Sequence, residues 1–171
     1  MSCATFLLVT LAVTSLTAHG QPAQKPCLPS QIQFMGRDTK GRQSVEALDY
    51  NKRFFGMKRD LFRMVKDFST EDAKRYDIEP TRCDVYNIDK NMDFPKCVPG
   101  TAKPVSSKHG DAWMFHNVDG ATLLYSLHDP SSIFEKISPD GQNSVTYFNF
   151  SSAITDSGIF AIPDSCYNYE L

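Results

Sequence analysis

The order of apolar and polar residues along the chain predicts a protein made mainly of short strands. Alternate side chains of an extended strand point to opposite faces, so a half-buried strand shows a period of two. Residues 144–150 follow this pattern, with Phe148 and Phe150 on one face and Asn149 on the other. We expect the two phenylalanines to face an apolar interior.

The same alternation, interrupted by turn residues, recurs along most of the chain. It predicts strands over residues 31–35, 43–50, 53–58, 61–68, 75–78, 82–88, 112–118, 121–128 and 144–150. Asp119-Gly120 predicts a two-residue hairpin, and the helix-start signals of residues 129–135 predict one short helix. Evenly spaced short strands of this kind predict a mainly β fold, an antiparallel sheet with one or two short helices.

The N-terminus has the features of a secretory signal peptide. Residues 6–16 form an apolar run that is too short to span a membrane, and Ala18 and Gly20 place small residues before Gln21. The alternative is a partly buried apolar helix. We expect residues 1–20 to be removed, leaving residues 21–171 as a single secreted, extracellular domain. Since no second long apolar run follows, we expect no membrane span.

Cysteine usage agrees with an exported chain. Four cysteines follow the predicted cleavage point, namely Cys27, Cys83, Cys97 and Cys166. An even number predicts two disulfides, and three connectivities are open. A zinc site is the competing interpretation, but no pair has the C-x-x-C spacing typical of such sites.

The balance and distribution of charge bear on the class of partner. The chain has 18 Lys and Arg against 20 Asp and Glu, with no long block of one sign, which argues against nucleic acid as a partner.

Asn149-Phe150-Ser151 is an N-glycosylation sequon, which requires an exposed asparagine in a secreted protein.

Oxygen-bearing side chains recur at every second position after residue 86. Asn87, Asp89, Asn91 and Asp93 have the spacing of the first ligands of a calcium loop. Met92 stands where that loop needs glycine, so any calcium site here is expected to be weak. The alternative is the solvated face of a strand and its turn.

Signals of catalysis are poor. His109, His116 and His128 share no metal-ligand spacing, and neither H-E-x-x-H nor G-x-S-x-G occurs. A Ser/His/Asp arrangement assembled only in space is an open alternative for any serine-rich chain. We therefore expect no catalytic site and no cofactor, calcium aside.

Large apolar side chains of the predicted strands suggest an apolar ligand pocket on one side of the sheet. The candidates are Phe34, Phe54, Phe62, Met64, Trp113, Phe115, Leu124, Phe148 and Phe150. A filled core explains each of them equally well. Only an enclosed space of ligand size separates the two interpretations.

Several stretches together resemble one family, the ependymin-related proteins. They are Pro26-Cys27 with Pro29-Ser30-Gln31 and Met35-Gly36-Arg37, Leu48-Asp49-Tyr50, Tyr76-x-Ile78 before Cys83, Phe94-Pro95-x-Cys97-Val98-Pro99, Tyr147-Phe148-Asn149, and Ile154-x-Asp156-x-x-Ile159-Phe160-x-x-Pro163-x-x-Cys166. The resemblance covers nearly all of residues 21–171, in the same order.

The resemblance implies a secreted glycoprotein whose curved antiparallel sheet, a half-barrel similar to bacterial lipoprotein carriers, encloses an apolar cavity. It also implies a Cys83–Cys166 disulfide, which leaves Cys27 to pair with Cys97. Family members are described as homodimers that bind hydrophobic molecules or lipids, bind calcium, and take part in extracellular matrix and cell adhesion. We therefore expect a non-enzymatic carrier of a hydrophobic or lipid-like ligand. The alternative is a structural or adhesive matrix protein, for example of shell or mantle, with calcium-modulated interactions.

Overall fold

The alternating segments of the sequence become strands in the structure, a computed structural model that describes residues 25–92, 94–129 and 131–167. The predicted signal peptide, residues 1–20, lies outside these residues. The described residues form β1 (Gln31–Asp38), β2 (Gln43–Asp49), β3 (Phe54–Arg59), β4 (Phe62–Asp67), β5 (Lys74–Ile78), β6 (Cys83–Asn87), β7 (Lys103–Ser107), β8 (Gly110–His116), β9 (Thr122–Ser126), β10 (Ile133–Ile137), β11 (Ser144–Ser151) and two 3₁₀ helices, η1 (Ser157–Phe160) and η2 (Asp164–Cys166).

All eleven strands pair in one open sheet, in the order β6-β5-β4-β3-β2-β1-β11-β10-β9-β8-β7. Every pairing is antiparallel, which confirms the predicted fold class. Neither of the two described helices approaches the length and apolarity that a membrane crossing needs.

The two edge strands, β6 and β7, follow one another in the chain, so their connection has to cross the whole sheet. A flat sheet of this many strands would be about 48 Å wide, since neighbours lie about 4.8 Å apart. The connection 88–102 would reach that far only if almost fully extended. It contains bends and a turn instead, so the sheet curls and brings its edges together around the connection. We call the face that encloses it the inner face.

The prediction of a helix over residues 129–135 is wrong, because Ile133–Ile137 is strand β10. Ile133 is fully buried and pairs with Tyr125 of β9. The helix-start signal forms a tight turn instead, in which the Asp129 carboxylate accepts a hydrogen bond from the backbone N–H of Ser131 at 2.9 Å. Packing against a neighbouring strand therefore outweighs the local signal.

The inner face holds the larger apolar core, and Phe94 of the crossing connection lies at its centre. Its ring centroid is 6.0 Å from that of Phe34, 5.9 Å from that of Phe55 and 5.6 Å from that of Tyr147. Phe94 is only 1% exposed. The connection thus fills the middle of the curled sheet with apolar side chains.

Two tyrosines of the sheet fix the backbone of the connection. The Tyr50 hydroxyl donates to the Phe94 carbonyl at 3.1 Å, and the Tyr125 hydroxyl donates to the Pro95 carbonyl at 3.0 Å. Burial raises the pKa of both phenols, which keeps them neutral donors. The Cys27–Cys97 disulfide ties the connection to the segment before β1.

The outer face is covered on one half by the C-terminal segment, which carries η1 and η2. Gly56 of β3 permits a close approach of η1, because a Cβ there would lie 2.8 Å from the Ile159 carbonyl oxygen. The Cys83–Cys166 disulfide joins β6 to η2 and is part of a small apolar cluster on this face. The structure therefore pairs the cysteines as the resemblance implies.

A β-bulge in β11 changes which side chains face inward. Asn149 has a φ of 53°, and the register with β1 shifts between Gln33 and Met35. Strict alternation would place Phe148 and Phe150 on one face, but the extra residue breaks the period. Phe150 packs on the inner core, whereas Phe148 lies on the outer face under the Arg37 guanidinium at 5.2 Å. The prediction that both rings face inward is wrong for Phe148.

Candidate functional site

Five of the nine pocket candidates belong to the inner core or pack against it, and these are Phe34, Met64, Trp113, Phe115 and Phe150. Phe62 shares the inner side of β4 with Met64, since the two are two residues apart. The other three lie on the outer face. Phe54 packs against Phe160 of η1, Leu124 pairs with Glu135, and Phe148 lies under Arg37.

The inner-core candidates are covered over much of their surface by the crossing connection. Phe34 is 1% exposed and Phe115 is 4% exposed, so both are packed core residues. Open space on the inner face lies instead at its rim, where the turns after β1, β3, β5 and β10 meet. Phe62 is the predicted pocket residue that reaches this rim.

Two adjoining clefts form a groove at this rim, which we call the rim groove. The first has a volume of about 320 Å³ and is lined by Asp38, Thr39, Lys40, Arg42, Arg59, Lys136, Ser138, Asn143, Ser144 and Val145. The second, of about 420 Å³, is lined by Arg42, Arg59, Asp60, Leu61, Phe62, Glu79 and Pro80. Both volumes fall in the range of small-molecule sites, but both clefts are open to solvent, so neither is the enclosed cavity that the resemblance implies. Arg42 and Arg59 line both clefts and so join them.

The first cleft opens on the inner side of the sheet. Val145 packs against the inner core and pairs with Asp38 on one neighbouring strand and with Lys136 on the other. The Lys136 ammonium lies 5.5 Å from the centroid of the Phe94 ring. The floor of this cleft is therefore continuous with the apolar core.

Asp38 organises the basic side chains of the first cleft. Its carboxylate lies 2.7 Å from Arg42 Nε and 3.7 Å from an Arg59 guanidinium nitrogen. Desolvation acts to raise the pKa of Asp38, but the hydrogen bonds from Arg42 and from the backbone N–H of Lys40 outweigh it. The pKa therefore lies below its ordinary value, and Asp38 holds the two arginines together as an anion.

Lys136 is held in the first cleft by a second carboxylate. Its ammonium lies 3.1 Å from Asp119 in the β8–β9 turn. Desolvation acts to raise the pKa of Asp119, but the Ala121 backbone hydrogen bond and the charges of Lys136 and Lys66 lower it overall. With Asp119 included, four cationic side chains at the first cleft meet two carboxylates, so an excess of two positive charges gives the cleft a positive potential.

The second cleft is lined by three apolar and four charged residues. Leu61, at the tip of the β3–β4 hairpin, is 79% exposed, and Phe62 and Pro80 lie beside it. Asp60 and Glu79 equal the two shared arginines in number, so the second cleft carries no net charge, unlike the first. An exposed leucine next to a cationic cleft gives the rim groove an amphipathic character.

The predicted calcium ligands form a local turn. The Asp89 carboxylate accepts hydrogen bonds from the backbone N–H of Asn91 at 2.8 Å and from its side-chain amide at 2.6 Å. Asn87 ends β6, and Asp93 lies outside the described residues. No group of three or more His, Cys, Asp and Glu suited to a metal is found in residues 25–92, 94–129 and 131–167. Calcium binding stays a prediction.

A buried carboxylate on the outer face was not predicted from the sequence. Glu135 is 4% exposed and lies 3.0 Å from Lys108 Nζ in the β7–β8 turn. His109 Nε2 lies 3.4 Å from the same carboxylate and has no hydrogen-bond partner among the described residues. Ser144 donates to Glu135 as well. The cluster fastens the β7–β8 turn to the outer face of β10.

We expect Glu135→Gln to lower the free energy of unfolding at neutral pH by about 2 kcal/mol, because it removes the anion that holds Lys108 and Ser144. Desolvation acts to raise the pKa of Glu135, but these hydrogen bonds and the neighbouring charges lower it below its ordinary 4.5. Ionised Glu135 therefore stabilises the fold fully above pH 4.5. This stabilisation is lost as the pH falls through the lowered pKa of Glu135 in the folded protein.

Urea unfolding across this acidic range checks the Glu135 prediction. The variant is expected to lose less stability on acidification than the unmodified protein. Glu71→Gln, at an exposed position, is the matched control and is expected to leave both values unchanged. A pH profile of Glu135→Gln that runs parallel to that of the unmodified protein would contradict the role assigned to the cluster.

The sequon asparagine is exposed, as predicted, and is also the bulge residue. Asn tolerates the left-handed conformation at Asn149, whereas an ordinary side chain there costs about 1 kcal/mol or more. We expect Asn149→Gly to keep the fold stable and Asn149→Ala to lower the free energy of unfolding relative to it. Both variants lack the sequon, so chemical denaturation compares them without a glycan. Equal stability of the two would show that the bulge is not strained.

Intact mass measurement of the protein made in a eukaryotic secretory host checks the modification itself. We expect a mass above that of the polypeptide, and the excess is expected to disappear in Asn149→Gly. An unchanged mass between the two proteins would contradict glycosylation at Asn149.

Compared with known proteins, the chain matches no protein-family model and no curated relative. The arrangement of the rim groove therefore carries the functional inference.

Proposed function

We propose that this chain is a secreted, glycosylated, non-enzymatic protein of the ependymin-related type that binds a hydrophobic or lipid-like ligand at the inner face of its sheet. The observation that carries the proposal is the rim groove, a ligand-sized space with an apolar side at Phe62 and Leu61. Its floor at Val145 continues into the inner core.

Two further features support secretion and a non-catalytic role. The two disulfides fit folding in an oxidising compartment. Ser144 donates its hydrogen bond to Glu135, and within the part of the chain that the structure describes His109 Nε2 has no hydrogen-bond partner. An activated serine nucleophile needs a hydrogen bond to its base, and here the serine bonds the glutamate instead of the histidine. We therefore assign a structural role to this cluster.

Native mass spectrometry of the protein purified from its source under non-denaturing conditions tests the proposal. We expect a species heavier than the glycosylated polypeptide, and we expect organic extraction to release a lipid or other apolar molecule from it. Protein that is consistently bare, and that also fails to bind any added amphiphile, would contradict the proposal.

The second candidate function is a structural or adhesive role in extracellular matrix, modulated by calcium. It is favoured by the open edge of the sheet at β6, where Val85 is 39% and Tyr86 is 48% exposed. Unpaired edge strands pair readily with other chains. The weak calcium candidates, beginning at Asn87, adjoin this edge. Recovery from an insoluble matrix only after calcium chelation, without a bound lipid, would favour this function over the first.

A further inference from the structure

We propose that the first cleft of the rim groove is a headgroup site that selects amphiphiles bearing an anionic phosphate or carboxylate. The inference rests on the proposed function and adds the chemistry of the ligand to it. Three of the cationic side chains involved, Arg42, Arg59 and Lys136, come from three separate parts of the chain and meet at this one cleft.

The charge of the cleft is the first argument. Asp38 offsets one of the two arginines and Asp119 pairs with Lys136, so two of the four positive charges at the cleft, one arginine and Lys40, are left in excess. Arginine suits phosphate and carboxylate because its planar guanidinium presents several N–H donors in a fork. Asp38 accepts a hydrogen bond from Arg42 and attracts Arg59 at 3.7 Å, so both side chains have less freedom to lose when an anion binds.

Apolar surface on both sides of the arginine pair is the second argument. Val145 lies in the first cleft, and Phe62 and Leu61 line the second cleft, beyond Arg42 and Arg59. An anion held by the arginines would therefore have apolar surface within reach of an attached alkyl chain. A free inorganic anion would use only the charged part of this surface.

The experiment measures binding of four probes by titration calorimetry, below their critical micelle concentrations where these apply. The probes are dodecyl phosphate, dodecanoate, neutral dodecyl maltoside and inorganic phosphate. We expect the unmodified protein to bind the two anionic amphiphiles at least about tenfold more tightly than dodecyl maltoside, since hydrogen bonds to charged groups are the strong ones. Inorganic phosphate is expected to bind much more weakly than dodecyl phosphate.

Arg42→Gln combined with Arg59→Gln is expected to weaken binding of both anionic amphiphiles at least about tenfold and so to abolish their preference over dodecyl maltoside. Lys52→Gln combined with Lys103→Gln removes two exposed cations elsewhere and is expected to change nothing. The salt dependence of the unmodified protein is a second readout that needs no variant. Added salt should weaken dodecyl phosphate binding and leave dodecyl maltoside binding as it was.

Equal affinity for anionic and neutral amphiphiles, or binding of anionic amphiphiles that is indifferent to salt, would overturn the headgroup site while leaving the proposed function standing. Inorganic phosphate that binds as tightly as dodecyl phosphate would overturn it in favour of a free-anion site. Failure of every amphiphile to bind would overturn the proposed function as well.

Discussion

Replacing Phe94 with alanine is expected to lower the free energy of unfolding by about 4 kcal/mol, the usual cost of deleting a large buried aromatic side chain. Phe94 is 1% exposed and contacts the rings of Phe34, Phe55 and Tyr147. Its loss would leave a cavity in the middle of the inner core. Urea denaturation followed by circular dichroism measures the effect.

Phe148→Ala is the matched control for this prediction, since it removes the same side chain from the outer face. Phe148 is partly exposed and lies under Arg37. We expect a loss of about 1 kcal/mol or less, because little apolar area is returned to water. Equal losses for the two variants would contradict the assignment of an inner core built around the crossing connection.

Removing the Cys83–Cys166 disulfide by a double serine substitution is expected to cost about 4 kcal/mol. The two cysteines are 83 residues apart, so their bond strongly restricts the unfolded chain. The substitution would also release the C-terminal segment from the outer face. Thermal unfolding measures the loss of stability, and limited proteolysis is expected to cut within residues 157–167.

The Cys27–Cys97 pair supplies the control, because its separation of 70 residues gives a similar entropic effect. Its double serine variant should be destabilised to a comparable degree without new cleavage in residues 157–167. Cleavage there in both variants alike would show that the C-terminal segment is not held by its own disulfide.

The fold is largely predictable from the sequence because each hairpin strand carries its own alternation. The nine predicted strands all form, but β7 and β10 were missed. β7 contains Pro104, which lacks an N–H and suits only an edge strand, and an edge is where it lies. β10 follows turn residues that imitate a helix start, and its pairing with the neighbouring strands β9 and β11 outweighs that local signal.

The set of β11 side chains that face inward was only partly predictable. The period-of-two pattern holds only where the strand contains no bulge. The bulge at Asn149 turns Phe148 outward while keeping Phe150 inward. The sequon is itself the available signal, since asparagine is among the few residues that tolerate left-handed backbone. A sequon within an alternating strand is therefore a reason to expect a bulge.

The rim groove could not be predicted, because its charges gather in space and not along the chain. Arg42 lies in the turn after β1, Arg59 ends β3 and Lys136 belongs to β10. The nearly equal numbers of acidic and basic residues give no sign of this cluster. It forms only because β1 lies between β2 and β11 in the sheet. Strand order, which the sequence alone does not specify, decides where the candidate site lies.

Photo-crosslinking with a diazirine-labelled fatty acid, mapped by peptide mass spectrometry, tests the central claim most directly. Ligand bound at the inner face should label peptides within residues 54–67 and 136–147, which contribute to the rim groove, and unlabelled fatty acid should suppress the labelling. Labelling confined to the outer face, around Phe148 or η1, or labelling that unlabelled fatty acid does not suppress, would contradict the account.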